Sequence, residues 1–244
     1  MDALRQVVGI NGGINMGINN VAQRTDEWLK LRLGVFTGSE IGKLMKSSRK
    51  INELFGDTAR SYIYKKAAER DLVDDIKNDD DMWDMYKNQY SFSSKAMDFG
   101  TEWECKARYL YEKITGRHIV EVGSCKHPTI PNFASSPDGY FYDENTGERG
   151  CLEIKVPNID TYYKYRTEIT KGADLLTVNP DYYYQCLSHM ACCEAQWTDF
   201  VCFNPFLKHN IHIVRILPDE NVFAELERRI NAANDIINQI IDIE

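Results

Sequence analysis

Three charged side chains lie close together in the stretch SSPDGYFYDENTGERGCLEIKVP, residues 135–157. Asp138 precedes one apolar run, and Glu153 and Lys155 lie inside the next. Because side chains alternate along a strand, Glu153 and Lys155 share one face of the second run. A half-exposed strand with a charged face is the ordinary explanation for such a pair. A polar turn joins the two runs, however, so we predict a β-hairpin that brings Asp138 beside Glu153.

Two carboxylates held side by side repel each other unless a cation lies between them. Oxygen ligands favour a hard ion, so we expect Mg²⁺, with Mn²⁺ as a substitute, bound by Asp138, Glu153 and a backbone carbonyl near Ile154. The amine of Lys155 can then contact a water on that ion and orient or deprotonate it as the nucleophile. Carboxylates, a hard metal ion and a lysine together predict hydrolysis of a phosphodiester.

The sequence on either side predicts the elements that must position these residues. Caps, apolar spacing and terminal glycines favour helices over 25–34, 57–70, 100–116, 159–172 and 179–194, from Thr37 or Ser39, and from Asp219. Runs of β-branched and aromatic residues favour strands over 118–123, 139–143, 151–157, 198–205 and 210–218. The acidic stretch 71–95 is predicted to be a loop or a marginal helix. This order predicts an α/β, or α+β, fold with a central mixed β-sheet flanked by helices.

Composition bounds the class of protein. The chain has 244 residues, 43% hydrophobic and 27% charged, which is typical of a soluble globular protein. We predict a flexible Gly/Asn-rich tail over residues 1–20 and a single domain over 21–244. No apolar run is as long as a membrane span, so we expect a cytoplasmic protein with no membrane partner. The seven cysteines include no C-x-x-C pair and are interpreted as reduced thiols rather than as disulfides or a zinc site.

The net charge of −8 argues, by itself, against a general nucleic-acid binder. A nuclease nevertheless needs only a local basic channel. We therefore interpret the acidic segments, such as the NDDD run and the IIDIE terminus, as lying away from a DNA path.

Four motifs in the chain resemble those of a known family. The Ser-Pro-Asp of residues 136–138, followed after fourteen residues by Glu-Ile-Lys, resembles the core of the PD-(D/E)XK nucleases, which have a restriction-endonuclease-like fold. The surrounding sequence, from about residue 24 to 204, resembles the lambda-type exonuclease or YqaJ-like viral recombinase family. The other matching positions are Trp28, Arg32, Gly34, Thr37 and Ser39 near the N-terminus, Glu104 in a G-x-x-x-E-x-x-A helix, and Tyr182, Gln185 and Met190 in a Y-x-x-Q-x-x-x-x-M helix.

The resemblance implies roles for these residues. Asp138 and Glu153 would bind magnesium, and Glu104 would support the metal site. Lys155 would be catalytic, and Gln185 would be a further catalytic residue. The DNA end would be contacted by Arg32, Thr37 and Ser39. The implied activity is 5′→3′ digestion of one strand of linear double-stranded DNA, which leaves a 3′ tail for a single-strand annealing protein. The resemblance also implies a ring of three subunits, and the host cytoplasm as location if a phage encodes the chain.

The residues themselves leave several of these roles open. Glu104 lies at the border of an apolar helical stripe, where a surface glutamate is an equal alternative. Gln185 and His189, four residues apart, lie opposite another apolar stripe and are either exposed or directed into a cleft. A structural histidine remains the ordinary explanation for His189. Lys164 and Arg166, in YYKYRTEITK, are interpreted as DNA-binding by charge and stacking, although an amphipathic helix also explains them.

Two other functions compete with the exonuclease. One is a related PD-(D/E)XK nuclease of other polarity or endonucleolytic action, including the branch with cysteine-ligated iron–sulfur clusters, which the cysteine spacing here does not favour. The other is a catalytically silent protein that binds DNA ends. The intact Asp138, Glu153 and Lys155 count against a silent protein, because it has no need to tolerate their electrostatic cost.

Overall fold

The computed structural model describes residues 17–19, 21–90 and 95–242. Its helices are α1 Asp26–Leu31, α2 Gly42–Met45, α3 Asp57–Arg70, α4 Asp75–Asn78, α5 Asp80–Tyr90, α6 Lys95–Thr115, α7 Ile159–Glu168, α8 Gly172–Val178, α9 Pro180–Cys193 and α10 Glu220–Ile241. Its strands are β1 Gly17–Ile18, β2 Phe36–Thr37, β3 Cys125–Lys126, β4 Phe133–Ser135, β5 Gly139–Tyr142, β6 Arg149–Lys155, β7 Trp197–Phe203 and β8 Ile211–Ile216.

The strands form two mixed four-stranded sheets. The first has the order β1-β3-β4-β2, with β2 and β4 parallel and the other neighbours antiparallel. The second has the order β5-β6-β7-β8, in which only β6 and β7 are parallel. The predicted α/β (α+β) class is confirmed, although the strands divide into two sheets rather than one. The second sheet contains the hairpin with Glu153 and Lys155.

Helices cover both faces of the second sheet. Helix α6 contacts β6 and β7 on the face where Leu152 and Ile154 join an apolar cluster. The hydroxyl of Tyr111 on α6 donates to Asp199 Oδ2 on β7 at 2.7 Å, which ties this helix to the sheet. Helix α9 contacts the same two strands. Because Leu152 and Ile154 face α6, the alternate residue Glu153 faces α9, and this explains why nearly every residue of β6 is buried.

Helix α5, within the acidic stretch 71–95, packs against α1. Trp83 is buried, the Lys30 amine lies 5.3 Å from the centre of its ring, and Lys87 pairs with Asp26 at 2.8 Å. Most of the described part of this stretch is thus helical, as α4 and α5, so the predicted helix rather than the predicted loop is observed. Residues 91–94 lie outside the described residues.

Several sequence predictions differ from the structure at the level of single elements. Residues 118–123 form no strand, and only Val120 pairs there, in an isolated bridge to Tyr140. Residues 17–18 of the predicted tail pair with β3, while residues 1–16 and 20 lie outside the described residues. No helix among the described residues is both long and apolar enough to span a membrane.

Helix α9 begins as the sequence predicts. Asn179 is its cap, and the Asn179 side chain accepts from the N–H of Tyr182 at 3.3 Å and donates to the Tyr165 hydroxyl at 2.9 Å. Pro180 occupies the first helical position, where a missing N–H costs nothing. This start sets where Gln185 and His189 lie along the helix.

Replacing the cap should therefore destabilise the protein. We expect Asn179→Ala to lower the free energy of unfolding by about 1 kcal/mol, because a helix N–H loses its acceptor. Asn179→Asp should cost less than half of that, since the carboxylate still accepts. Urea unfolding of both variants measures the difference, and equal losses would contradict a capping role.

Candidate active site

The predicted hairpin forms and places Asp138 beside Glu153. Strands β5 and β6 pair antiparallel with Gly139 opposite Leu152, and Asp138, immediately before β5, lies close enough to Glu153 for the two charges to interact. The N–H of Asp138 donates to the Leu152 carbonyl at 2.9 Å. The Asp138 carboxylate, through Oδ2, accepts from the N–H of Ile154 at 2.7 Å. The backbone of β6 therefore fixes the position of this carboxylate.

Glu153 is one of the most buried charged residues of the described chain, with 1% of its surface exposed. Its Oε1 pairs with the Lys155 amine at 2.5 Å, and its Oε2 lies 2.6 Å from Nε2 of His189. An ionised carboxylate removed from water requires such partners. The two charges predicted for one strand face thus form a pair, and α9 supplies the other partner.

Lys155 lies at the more open side of this pair, with 24% of its side chain exposed. Its amine is 4.5 Å from the centre of the Tyr182 ring and 3.5 Å from Oε1 of Gln185. Burial lowers the pKa of Lys155, but the charges of Glu153 and Asp138 outweigh this effect and hold the pKa above its ordinary value. The amine is therefore an ammonium, which donates hydrogen bonds.

The two carboxylates differ in their electrostatics. Burial and the charges of Glu153 and Glu104 raise the pKa of Asp138 well above its ordinary value, against the opposing charge of Lys155. Burial acts on Glu153 in the same direction, but the charge of Lys155 and the hydrogen bond with His189 outweigh it and lower the pKa of Glu153. The positive charge near Asp138 is thus too small to offset its burial and the repulsion from Glu153 and Glu104.

Glu104 on α6 lies near Asp138 but is held by arginines. Its Oε1 accepts from Arg108 at 2.9 Å, and its Oε2 pairs with Arg24. Within the described parts of the chain, no three His, Cys, Asp or Glu side chains form a group that could hold a metal ion. Glu104 is consequently placed next to the site, while its role as a metal ligand stays a prediction.

The donor set of Asp138 and Glu153 fits a hard divalent cation. Magnesium is typically bound by one or two carboxylates and keeps several waters, so a third protein carboxylate is not required. A cation between these two residues would also relieve the repulsion that raises the pKa of Asp138. Manganese suits the same oxygen ligands. Asp138 and Glu153 would therefore hold Mg²⁺ or Mn²⁺, with the Ile154 carbonyl as the remaining predicted ligand.

A second polar cluster forms around Arg32, just after α1. Its guanidinium donates to Ser39 Oγ at 3.0 Å and to Ser136 Oγ at 3.4 Å, and it stacks on the Trp28 ring with 4.1 Å to the ring centre. The indole N–H of Trp28 also donates to Ser136, at 3.3 Å. Since Ser136 precedes Asp138 by two residues, the cluster adjoins the carboxylates. Burial lowers the pKa of Arg32, so a bound anion would offset the desolvation of its charge.

The helix start expected at Thr37 or Ser39 is not observed. Helix α2 has only four residues, is capped at Ile41, and has no side-chain cap hydrogen bond. Thr37 lies in β2 with 1% of its surface exposed, and its hydroxyl is 3.4 Å from that of Ser39. The reason is that pairing with β4 keeps Phe36 and Thr37 extended, and residues 38–41 then form a turn before α2. An anion at Ser39 would therefore depend on Arg32 and hydroxyl groups rather than on a helix N-terminus.

Gly34 sets the path of the chain between Arg32 and β2. Its φ of +72° lies in the left-handed region, and an added Cβ would come within 2.5 Å of Arg70 Cγ. The N–H of Gly34 donates to Glu69 Oε2 at 2.8 Å, and its carbonyl accepts from Arg70 at 2.7 Å. Helix α3 thereby anchors the segment that carries Arg32 and Ser39.

The proposed DNA contacts Lys164 and Arg166 lie on α7. Arg166 donates to the carbonyl of His209 at 3.0 Å and so fastens the loop after β7. Lys164 is exposed. Binding of DNA by these two residues stays a prediction.

Two site residues were not assigned from the sequence. Ser136 is the partner of Arg32 and Trp28, and its place in the Ser-Pro-Asp motif was the available signal. The sequence favours a structural role for His189, and the structure places its Nε2 2.6 Å from Oε2 of Glu153. Its spacing of four residues from Gln185 was the signal, because both side chains point from α9 toward β6.

Comparison with known proteins gives the family to which this fold and site belong. Residues 27–196 match the family model of the YqaJ-like viral recombinase domain. The chain belongs to this family. No curated protein matches it by sequence.

Solved structures agree with this assignment. The chain is similar to an alkaline exonuclease, LHK-Exo, from Laribacter hongkongensis, with a TM-score of 0.68 and 28% identity over 89% of this chain and 95% of that one. The same enzyme in complex with dAMP matches with 29% identity, a TM-score of 0.68 and the same coverage. A phage related exonuclease from Haemophilus somnus 129PT shares the fold, with a TM-score of 0.61 and 16% identity over 85% of this chain and 95% of that one. The predicted family and enzyme class, an exonuclease, are confirmed.

The repulsion between the carboxylates of Asp138 and Glu153 should lower the free energy of unfolding. We expect Asp138→Asn to raise the free energy of unfolding at neutral pH by about 1 kcal/mol in the presence of a chelator, because a charge is removed beside Glu153. Urea unfolding measures the change. Glu144→Gln, which removes the same charge from an exposed turn residue, is the control and should change stability little. A loss of stability in Asp138→Asn would contradict the electrostatic interpretation.

Proposed function

We propose that this chain is a DNA exonuclease that requires Mg²⁺, with Mn²⁺ as a substitute, and digests one strand of linear duplex DNA from its 5′ end. The product would be a 3′ single-stranded tail. The observation that carries the proposal is the burial of Glu153 between Lys155 and α9, with Asp138 beside it and the Arg32 cluster adjoining it. The family, and the similarity to an alkaline exonuclease, support DNA as the substrate.

The residues divide the chemistry among them. A divalent ion at Asp138 and Glu153 would polarise the scissile phosphate and lower the pKa of a bound water. Asp138 is held by the backbone of β6, and Glu153 by Lys155 and His189, so the ligands need little rearrangement. The ammonium of Lys155 donates to a water or to a phosphate oxygen, where it orients the nucleophile and stabilises developing negative charge. Gln185 limits where that amine can move.

The Arg32 cluster would bind the terminal 5′ phosphate. A guanidinium with two serine hydroxyls makes charge-assisted hydrogen bonds to a phosphate dianion that a 5′-hydroxyl end cannot accept equally. Ser136 and Asp138 are two residues apart, which spans at most about 7 Å of backbone. This separation is on the scale of one nucleotide and supports release of single nucleotides from the end.

Assembly and partners form the rest of the proposal. A ring of three subunits would surround the duplex and allow processive digestion, and the 3′ tail would be taken over by a single-strand annealing protein. Both follow from the family resemblance. A ring also accommodates the net charge of −8, because only the inner surface needs to be basic.

A catalytically silent end-binding protein is the weaker candidate. Burying Glu153 and raising the pKa of Asp138 both cost stability, and end binding requires neither. An endonuclease would need no pocket for a terminal phosphate. The Arg32 cluster therefore favours the exonuclease over the endonuclease.

The first test uses linear duplex DNA carrying a label at one 5′ end or one 3′ end. We expect early loss of the 5′ label, with digestion only when Mg²⁺ or Mn²⁺ is present. Asp138→Asn and Glu153→Gln should lose more than a hundredfold in rate, which is about 2.7 kcal/mol. DNA-end binding by these variants should survive, because removing one carboxylate relieves the repulsion toward the phosphate.

The labels distinguish the competing functions. Early loss of the 3′ label would reverse the polarity, internal fragments would identify an endonuclease, and intact DNA would identify an end-binding protein. Glu144→Gln is the matched control and should keep the wild-type rate, because its side chain lies in the exposed hairpin turn.

The second test concerns Arg32. The enzyme should digest 5′-phosphorylated duplex faster than the same duplex with a 5′-hydroxyl, and Arg32→Ala should bring the ratio of initial rates close to one. Arg32→Lys should restore it only in part, because a point charge lacks the fork geometry. The measurement is the ratio of initial rates at one salt concentration.

A purely structural Arg32 predicts a different result. Loss of its contacts to Ser39 and Ser136 would then slow both substrates by the same factor and leave the ratio unchanged, which would refute the assignment. Arg228→Ala removes an equal charge from the exposed face of α10, where it pairs with Glu225, and should leave the ratio at its wild-type value.

A further inference from the structure

A buried chain of hydrogen bonds runs from Ser135 through His189 to Glu153. Ser135 Oγ lies 2.7 Å from Nδ1 of His189, and Nε2 of His189 lies 2.6 Å from Oε2 of Glu153. None of the three side chains has more than 1% of its surface exposed. The motif by which α9 matches the family consists of Tyr182, Gln185 and Met190 and does not include the histidine.

The direction of this chain follows from the chemistry of its members. An ionised carboxylate only accepts hydrogen bonds, so Nε2 of His189 must carry a hydrogen and donate to Glu153. In the neutral ring, Nδ1 is then the acceptor, and the Ser135 hydroxyl donates to it. The bond from Nε2 to Glu153 is the same in the charged ring. The hydrogen bond that positions Glu153 is therefore present in either protonation state of His189.

The two oxygens of Glu153 consequently differ. Oε2 is held against α9 by His189, whereas Oε1 lies toward Lys155, on the more open side. A carboxylate can bind a metal ion through one oxygen or through both. With Oε2 turned to His189 in the buried interior, Oε1 is the oxygen on the open side, where it can accept from Lys155 and still present its second lone pair to another ligand.

We propose that His189 is a positioning residue that restricts Glu153 to binding the catalytic metal ion through Oε1 alone. The proposal rests on the metal-dependent function proposed above. A single-oxygen ligand suits Mg²⁺, which demands a regular octahedral shell and keeps several waters, better than Ca²⁺, which readily takes both oxygens of a carboxylate. His189 thereby contributes to the preference of the site for Mg²⁺.

The absence of a side chain at Gly38 leaves room for the Ser135 hydroxyl in this series of hydrogen bonds. An added Cβ at Gly38 would lie 2.2 Å from Ser135 Oγ and 3.2 Å from Ser188 Cβ, so any side chain there would displace the hydroxyl that supports His189. Gly38 lies between Thr37 and Ser39 of the Arg32 cluster. The segment that would bind the DNA end thus also supports the outer end of the hydrogen-bond chain.

The test measures metal affinity by isothermal titration calorimetry on the metal-depleted full chain, with Mg²⁺ and Ca²⁺ as the ligands. His189→Leu removes the donor, and we expect Mg²⁺ binding to weaken about 10- to 100-fold, as is typical when a partner of a metal ligand is lost. Ca²⁺ binding should weaken by a smaller factor, because the released Oε2 can join Oε1. His189→Gln keeps an amide donor for Glu153 and should retain both affinities to within about threefold.

Controls separate positioning from stability. Leu187→Ala opens a cavity in the core at a fully buried residue of the same helix, which should lower the melting temperature but leave both metal affinities unchanged. If His189→Leu does not fold, Ser135→Ala decides, since it removes the support of the ring with little change in volume. We expect Mg²⁺ affinity to fall in Ser135→Ala by more than Ca²⁺ affinity.

Each outcome is decisive. Wild-type Mg²⁺ affinity in a folded His189→Leu, or in Ser135→Ala, would overturn the proposal, and so would equal losses for both ions. An equal loss in Leu187→Ala would show that only stability is involved. Failure of the wild type to bind either ion would instead refute the proposed metal-dependent function, and the wild-type titration reveals that case separately.

Discussion

The structure of the site depends on the burial of one ionised carboxylate, that of Glu153. A charge removed from water is tolerated only with close partners, and Glu153 has the Lys155 amine on one oxygen and His189 on the other. Lys155 is supplied by β6 itself, two residues after Glu153. His189 can reach Glu153 because α9 packs on β6 opposite α6 and presents polar side chains from its buried face. The layers of the second sheet therefore serve an electrostatic need as well as an apolar one.

The same constraint connects regions that are distant in the sequence. The Ser135 hydroxyl is hydrogen-bonded to His189, and it occupies space that a side chain at position 38 would fill. Gly38 in turn adjoins Ser39, to which Arg32 donates a hydrogen bond. The first sheet, which holds β2 and β4 in parallel, brings these segments together. The proposed metal centre and the proposed anion site consequently share one supporting structure. This arrangement suits an enzyme that must cut at a defined distance from a DNA end.

Electrostatic balance also explains why the fold places arginines around the site. Glu104 would add a third negative charge near Asp138, but Arg24 and Arg108 pair with it. The excess of carboxylates that remains lies between Asp138 and Glu153, where a divalent cation would be most stabilising. The acidic helix α5 is likewise compensated, since lysines of α1 and α5 lie over its buried tryptophan.

The sequence by itself determined what is encoded locally: the alternation of Glu153 and Lys155 along β6, the cap of α9 at Asn179, and the motif spacings that identified the family. Local signals suffice there because strand periodicity and helix capping depend on near neighbours. Only the tertiary structure decided that Thr37 lies in β2, because pairing with β4 overrides the local helical signals. It also decided that residues 118–123 form no strand, since only Val120 finds a partner there, in a bridge to Tyr140. It likewise decided that His189 reaches Glu153, since a helix that is buried all round leaves no polar face to predict.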